Sequence, residues 1–414
     1  MTYDRRISRR ALLGAMAAGS VAAGLAACGG VSPSTGPAPG GQSATPSTVS
    51  SSTPASAPPS RTPPAATPSA DPAKLRAKIA RMLLFGFRGL TIGPNDPITR
   101  AITGGLGGVI LFDRDQMTGG KRNIASPAQL AELTTALRAA ASSPLLIALD
   151  QEGGRVSRLN PAMGFPATKT EAAIGATSDP AIAHAAGLAM GRTMAKAGVN
   201  FDLAPVVDVN VDPRNPAIGA LDRSFSADPS IVAALAEAEI RGLHEAGIRS
   251  AIKHFPGLGS AAANTDFAVV DVTKTWTEME LEPFQTLIGL DLPDAIMSAH
   301  ILDRRRDPDA PASLSPATVD VLLRGRLGWS GAVMTDDLGA VAITSRFSQA
   351  EAIAKAIEAG NDLLTFANQA TYVPDLAEHV IDTIVGFVAS GRVSESRIDQ
   401  SIARLDILAA GPRG

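Results

Sequence analysis

Five places along this chain set charged or titratable side chains at or just beyond the C-terminal end of a short apolar run: Asp150, Asp208, Lys253-His254, His300 and Asp336-Asp337. A carboxylate so placed can accept a proton, donate one when its pKa is raised, or attack an electrophilic carbon, and Lys and His add donors beside it. An ionised group at the end of a buried strand is costly unless it is paired or faces a cleft. One such residue is routinely structural. Five in sequence order point to a shared site.

The elements that must position them follow from hydrophobic period. Val-, Ile- and Leu-rich runs read as strands at 108–112, 145–150, 201–209, 250–255, 295–301, 332–337 and 362–367, with 83–87 a candidate eighth. Ala-rich segments of helical period lie at 72–85, 127–141, 178–198, 229–246, 276–290, 315–326, 349–359, 373–390 and 394–409. Strands that are apolar throughout are buried on both faces, the mark of a parallel sheet covered by helices. The expected fold class is α/β, a (β/α)8 TIM-like barrel forming a single catalytic domain over 72–414. In such a barrel the C-terminal strand ends converge on one mouth. No G-x-G-x-x-G turn follows an early strand, which disfavours dinucleotide binding.

Asp150-Gln151-Glu152-Gly153-Gly154-Arg155-Val156-Ser157-Arg158, then Arg223-Ser224-Phe225, Lys253-His254-Phe255-Pro256-Gly257 and Met334-Thr335-Asp336-Asp337-Leu338 resemble the successive motifs of the β-N-acetylglucosaminidases of glycoside hydrolase family 3. The similarity runs over nearly all of 72–412. It implies a retaining exo-hydrolase that removes terminal β-linked N-acetylglucosamine from cell-wall (peptidoglycan) fragments, with an N-acetylglucosamine-containing glycan or muropeptide as partner and no cofactor. Asp336 matches the family's nucleophile, which forms a covalent glycosyl-enzyme; the bland alternative is a helix cap or a barrel salt bridge. Asp337 suits a capping role toward the next helix. Asp150, Arg158, Arg223, Lys253 and His254 match the positions that hold the terminal sugar by its hydroxyls. Arg158 and Arg223 also suit surface ion pairs. Phe255-Pro256 is a bond of the type that adopts cis and would then fix the exit of its loop. His300 resembles the family's barrel-mouth histidine and equally suits a satisfied core residue, while His184, His244 and His379 fall in expected helices and carry no assigned role.

One motif departs from the pattern. In single-domain members, the loop after Lys-His-Phe-Pro-Gly supplies an Asp-Ser-His segment whose histidine is the general acid/base, oriented by the aspartate. Here Gly259-Ser260-Ala261-Ala262-Ala263-Asn264-Thr265-Asp266 sets Asn264 at the orienting position and Asp266 at the histidine's. Either Asp266 is the acid/base, its pKa raised by enclosure, or it is a turn residue in a degenerate loop. With 398–408 expected as the terminal barrel helix, no second domain is expected to supply the group. The alternatives to the hexosaminidase are a β-glucosidase or β-xylosidase of the same family, or a wall-fragment-binding lipoprotein that has lost turnover.

The N-terminal residues point outside the cytoplasm. Arg5-Arg6 and Arg9-Arg10 precede an Ala/Gly/Leu stretch over 11–27 that is too small-sided for a robust membrane span, and Ser8-Arg9-Arg10-Ala11-Leu12-Leu13 resembles a twin-arginine signal. Leu25-Ala26-Ala27-Cys28 resembles a bacterial lipobox, so 1–28 is expected to be a lipoprotein signal peptide with Cys28 acylated, whether exported by Tat or Sec, and the protein an extracytoplasmic one held to the membrane by its lipid. Cys28 is the sole cysteine, so no intramolecular disulfide forms. Residues 29–71, almost wholly Ser, Thr, Pro, Gly and Ala, are expected to be a disordered tether. The composition of the whole chain, 45% hydrophobic and 19% charged with a net charge of −3, suits a large globular core and argues against a nucleic-acid partner. There is neither a His-x-x-x-His pair nor a cysteine cluster, and no metal is expected.

Overall fold

A computed structural model describes residues 71–413. The leader, Cys28 and all of the expected tether but Asp71 lie outside the described residues. Eight parallel strands follow in chain order: β1 (Leu83–Gly86), β2 (Gly108–Ile110), β3 (Leu146–Leu149), β4 (Phe201–Asp202), β5 (Arg249–Phe255), β6 (Ala295–Ser298), β7 (Ala332–Thr335) and β8 (Leu364–Phe366). Each pairs with its sequence neighbour, and β8 pairs with β1. A parallel bridge between Met334 and Leu363, with the Thr335 amide donating to the Leu363 carbonyl at 3.0 Å, joins β7 to β8 and closes the ring. This is the (β/α)8 barrel that the apolar runs imply, and the eight strands fall within the expected segments except that β5 begins one residue early, at Arg249. Ala204–Pro205, Lys253–His254 and Phe255–Pro256 are cis peptide bonds.

Four of the helices start where a capping Asp or Ser precedes Pro. Asp71, Ser126, Asp179 and Asp228 each accept hydrogen bonds from first-turn amides of Pro72–Arg81, Pro127–Ala140, Pro180–Lys196 and Pro229–Glu245, and each proline occupies the first helical position, where its missing N–H costs nothing. The first helix ends at Arg81 rather than at the expected residue 85. Leu83, Leu84 and Phe85 are buried and pair on both sides with β2 and β8, and a run with no polar face gains more as a central strand than as a surface helix. Helix Pro97–Thr103, opened by the same Asp-Pro step, was not expected. Segment 315–326 is helical over Ala317–Arg326, with the wider π turn. Among the described residues, no helix is long and apolar enough to cross a membrane.

The face opposite the mouth is tied by charge. Asp362, fully buried just before β8, takes Arg324 at 2.6 Å, Arg404 at 3.1 Å, Ser401 at 2.9 Å and the Val333 amide at 3.1 Å, binding the last helix, Glu395–Ala410, to the barrel floor. Removing the anion strands the cations around it. Asp362→Ala is expected to lower unfolding free energy by about 3 kcal/mol or more, against about 1 kcal/mol for the more exposed Arg404→Ala. An unchanged urea midpoint for Asp362→Ala contradicts this role.

Candidate active site

At the mouth, β3 and β5 bring together the residues that the motifs single out. Lys253 Nζ, 2% exposed at its side chain, lies 2.9 Å from Asp150 Oδ1 and 2.6 Å from Glu152 Oε1. Arg158 meets Asp150 Oδ2 at 2.8 Å, and Arg223 grips Glu152 through Nε and Nη2 at 2.6 and 2.7 Å. Both arginines therefore belong to one network rather than to isolated surface pairs. Burial opposes the charge on each member, but the opposite charges outweigh it. Asp150 is held well below the usual carboxylate range by Lys253 and Arg158, Glu152 falls to about 2 beside Arg223 and Lys253, and Lys253 is held above its ordinary value.

The backbone here requires glycine. Gly153 has φ 98°, and a Cβ on it would stand 2.2 Å from the Lys169 carbonyl oxygen; a Cβ on Gly259 would stand 1.7 Å from that of Val209. These contacts press the loops after β3 and β5 onto their neighbours.

His254 closes the site beside Lys253. Asp208, fully buried and acceptor-only when ionised, takes His254 Nδ1 at 2.7 Å, the His254 amide at 3.2 Å and the Leu258 amide at 2.7 Å. This fixes Nδ1–H as the donor and leaves Nε2 for a ligand. His300 is a satisfied buried residue. Its Nε2 lies 2.8 Å from the Asp337 carbonyl, which only accepts, so Nε2 carries the proton and Nδ1 accepts from Ser313 Oγ at 2.7 Å. Burial holds its pKa below the ordinary histidine value. His244, 2.8 Å from Asp294, serves the opposite end of the barrel.

Asp336 follows β7 directly. Its amide donates to the Ser298 carbonyl at 3.0 Å, and its Oδ1 accepts from the Asp337 amide at 2.8 Å. Asp337 does not cap a helix: the short helix Val341–Thr344 has Ala340 at its start and no side-chain cap, because Asp337 Oδ1 is spent on the Gly339 and Ala367 amides at 3.0 and 2.9 Å, bracing this loop against the end of β8. Burial pushes Asp337 up to about 7.

The loop after β5 carries Asp266 to the same mouth. Its turn is built by the backbone and Asn264. The Asp266 amide donates to Asn264 Oδ1 at 2.8 Å, the Asp266 carbonyl accepts from the Val341 amide at 3.2 Å, and the Thr265 carbonyl accepts from the Ala342 amide at 3.1 Å. The Asp266 carboxyl carries no hydrogen bond among the described residues. Although the residue is open to solvent, crowding by the mouth and the nearby charge of Asp336 push its carboxyl up to about 6. The loop's inner half is braced by buried Glu280, whose Oε2 accepts from the Ser260 amide at 3.2 Å. Glu152 and Glu280 received no role from sequence. Glu152 was detectable as a second acid two residues after Asp150; Glu280, twenty residues beyond Ser260 on another element, offered no signal.

A parallel (β/α)8 barrel with carboxylates of opposite protonation tendency beside a cationic hydrogen-bonding wall defines a glycosidase-type site. Residues 74–408 match the glycosyl hydrolase family 3 N-terminal domain, and the chain belongs to that family and is a glycoside hydrolase. It is 37% identical over 316 residues to a β-hexosaminidase of Xylella fastidiosa (strain M23), covering 74% of this chain and 87% of that protein. A family 3 β-N-acetylglucosaminidase from Paenibacillus sp. FPU-7 superposes with TM-score 0.74 at 35% identity, covering 81% of this chain and 62% of that one, so this chain spans about three fifths of it. A β-N-acetylhexosaminidase from Beutenbergia cavernae gives 0.73 at 31% identity, with 81% and 98% covered. Among the described residues, no cluster of three or more His, Cys, Asp or Glu is arranged to hold a metal ion.

Glu152→Gln keeps the side-chain shape but leaves Arg223 and Lys253 against Asp150 alone. It is expected to lower stability by about 3 kcal/mol at neutral pH. Because folding depresses the Glu152 pKa from 4.5 to about 2, its contribution is complete above pH 4.5 and is lost as pH falls toward 2. Denaturant titrations should therefore show wild type and variant converging between those values. A pH-independent difference speaks against the charge assignment.

Proposed function

We propose that this chain is a retaining exo-β-N-acetylglucosaminidase acting on cell-wall fragments outside the cytoplasmic membrane, with Asp336 as nucleophile and Asp266 as acid/base. The observation that carries the reading is the pair of carboxyls at one mouth: Asp336 at the end of a barrel strand, and Asp266, unbonded and raised to about 6, on a loop hydrogen-bonded to the residues that follow Asp336. Asp150, Arg158, Arg223, Lys253 and His254 hold the terminal sugar by its hydroxyls. Protonated Asp266 delivers its proton to the leaving oxygen as Asp336 attacks the anomeric carbon, then takes a proton from the water that releases the sugar. Relatives named β-hexosaminidase and β-N-acetylglucosaminidase support the choice of sugar. The wall-fragment substrate and the outward location rest on the leader and on Cys28, whose acylation would hold the enzyme at the membrane surface.

Asp336→Asn is expected to bind sugar but to lose about a thousandfold or more in turnover of aryl N-acetyl-β-glucosaminides. If Asp337→Asn is the inactivating change instead, the nucleophile lies one residue further on. For Asp266→Ala, cleavage of disaccharides should suffer far more than that of activated aryl glycosides, and azide should restore part of the latter. In the wild type, kcat/KM on disaccharides should fall about tenfold per unit above pH 6 as Asp266 ionises. Equal losses on good and poor leaving groups without azide rescue would reduce Asp266 to a loop residue. Cys28→Ala is expected to release the protein from membranes or leave it unprocessed; fractionation like wild type excludes the anchor.

A further inference from the structure

Of the eight large hydrophobic residues exposed among the described residues, Met117, Val211, Phe267 and Val269 stand on loops that follow barrel strands and Val341 opens the short helix that follows β7, all on the face that holds the site. Phe267 is the most exposed of the eight, at 71%, and is the residue after Asp266. Scattered single exposures are ordinary; a phenyl ring left in water beside a catalytic carboxyl has a position that matters.

We infer that Phe267, flanked by Val341, is the platform for the departing half of the substrate, and that this half is a second sugar ring laying its C–H face on the phenyl. The inference rests on Asp266 being the acid. An acid must come within hydrogen-bonding reach of the leaving oxygen, and consecutive Cα atoms are about 3.8 Å apart, so the residue next to Asp266 borders the space the leaving group occupies. The platform is anchored on both sides. The Phe267 amide donates to the Asn264 carbonyl at 3.1 Å, and the Val341 amide donates to the Asp266 carbonyl at 3.2 Å, which brings Val341, 38% exposed, against the backbone that joins Asp266 to Phe267. The chemistry of the occupant follows from the loop: no charged residue falls between Asp266 and Asp271, and the side chains exposed there, Phe267 and Val269, are both apolar. An uncharged ring with one apolar face matches that strip, and an ionised peptide does not.

The test is Phe267→Ala and Phe267→Trp assayed on N,N′-diacetylchitobiose, whose leaving group is a sugar, and on methyl N-acetyl-β-glucosaminide, whose leaving group is too small to reach the ring. Phe267→Ala is expected to lose about tenfold or more in kcat/KM on the disaccharide and less than about twofold on the methyl glycoside. Phe267→Trp, which keeps a planar face, should match or exceed wild type on the disaccharide. Equal losses on the two substrates would mean that Phe267 only shapes the acid's loop, and no loss on either would mean that the ring touches nothing; each overturns the platform. A wild-type enzyme that releases N-acetylglucosamine from neither substrate refutes the functional reading itself, and the platform with it. Disaccharide cleavage undiminished by Asp266→Ala moves the acid elsewhere and removes the reason for placing the leaving group at Phe267.

Discussion

The site depends on a chain of alternating charge with a buried centre: Arg158 to Asp150, Asp150 to Lys253, Lys253 to Glu152, and Glu152 to Arg223. Each ion alone would cost several kcal/mol to take out of water, and in a low-dielectric wall the cost is recovered only when every partner is in place. The chain therefore fixes more than local geometry. It locks the end of β5 to the loop after β3 and draws in Arg223 from the segment after β4, so three consecutive barrel units share one rigid wall. Such a wall, with every ion paired, keeps its remaining donors and acceptors in fixed positions, and in the proposed function it is this wall that receives the hydroxyls of the terminal sugar.

Against this wall the other carboxyls behave in the opposite way. Asp150 and Glu152 have cations in contact and stay ionised, whereas Asp266 and Asp337 have none; crowding at the mouth and the charge of Asp336 drive Asp266 up to about 6, and burial drives Asp337 up to about 7. Within one mouth, acids of the same intrinsic strength are thereby divided into permanent anions and proton carriers. That division is what acid/base chemistry at a sugar acetal requires. Asp208 contributes differently, by spending its oxygens on the ring and backbone of His254 and on Leu258, so that one imidazole nitrogen is committed and the other is available.

The two ends of the barrel carry charge for different purposes. At the floor, Asp362 is saturated by Arg324, Arg404, Ser401 and a backbone amide, and Asp294 by His244, Ser250 and the Arg413 amide, leaving nothing for a ligand. At the mouth, Asp266 keeps its carboxyl unbonded because Asn264 and the backbone make the turn for it. This is the usual partition of such barrels into a stabilising face and a reactive one.

Much of this was legible in the chain itself. Uninterrupted apolar runs ending in Asp, Lys-His or Asp-Asp fixed both the parallel barrel and the residues that would meet at its mouth, because strand order and a shared C-terminal face follow from covered parallel strands. The boundary between the first helix and β1 was not legible, since only pairing with β2 and β8 turns 83–85 from helix to strand. Glu280, which braces the loop that carries Asp266, escaped notice because its partner Ser260 is twenty residues distant on another element. The same holds for the protonation of the carboxyls. Residue type sets their intrinsic acidity, but whether Asp266 or Glu152 keeps its proton depends on which charges the fold brings within a few ångströms, and only the tertiary structure decides that.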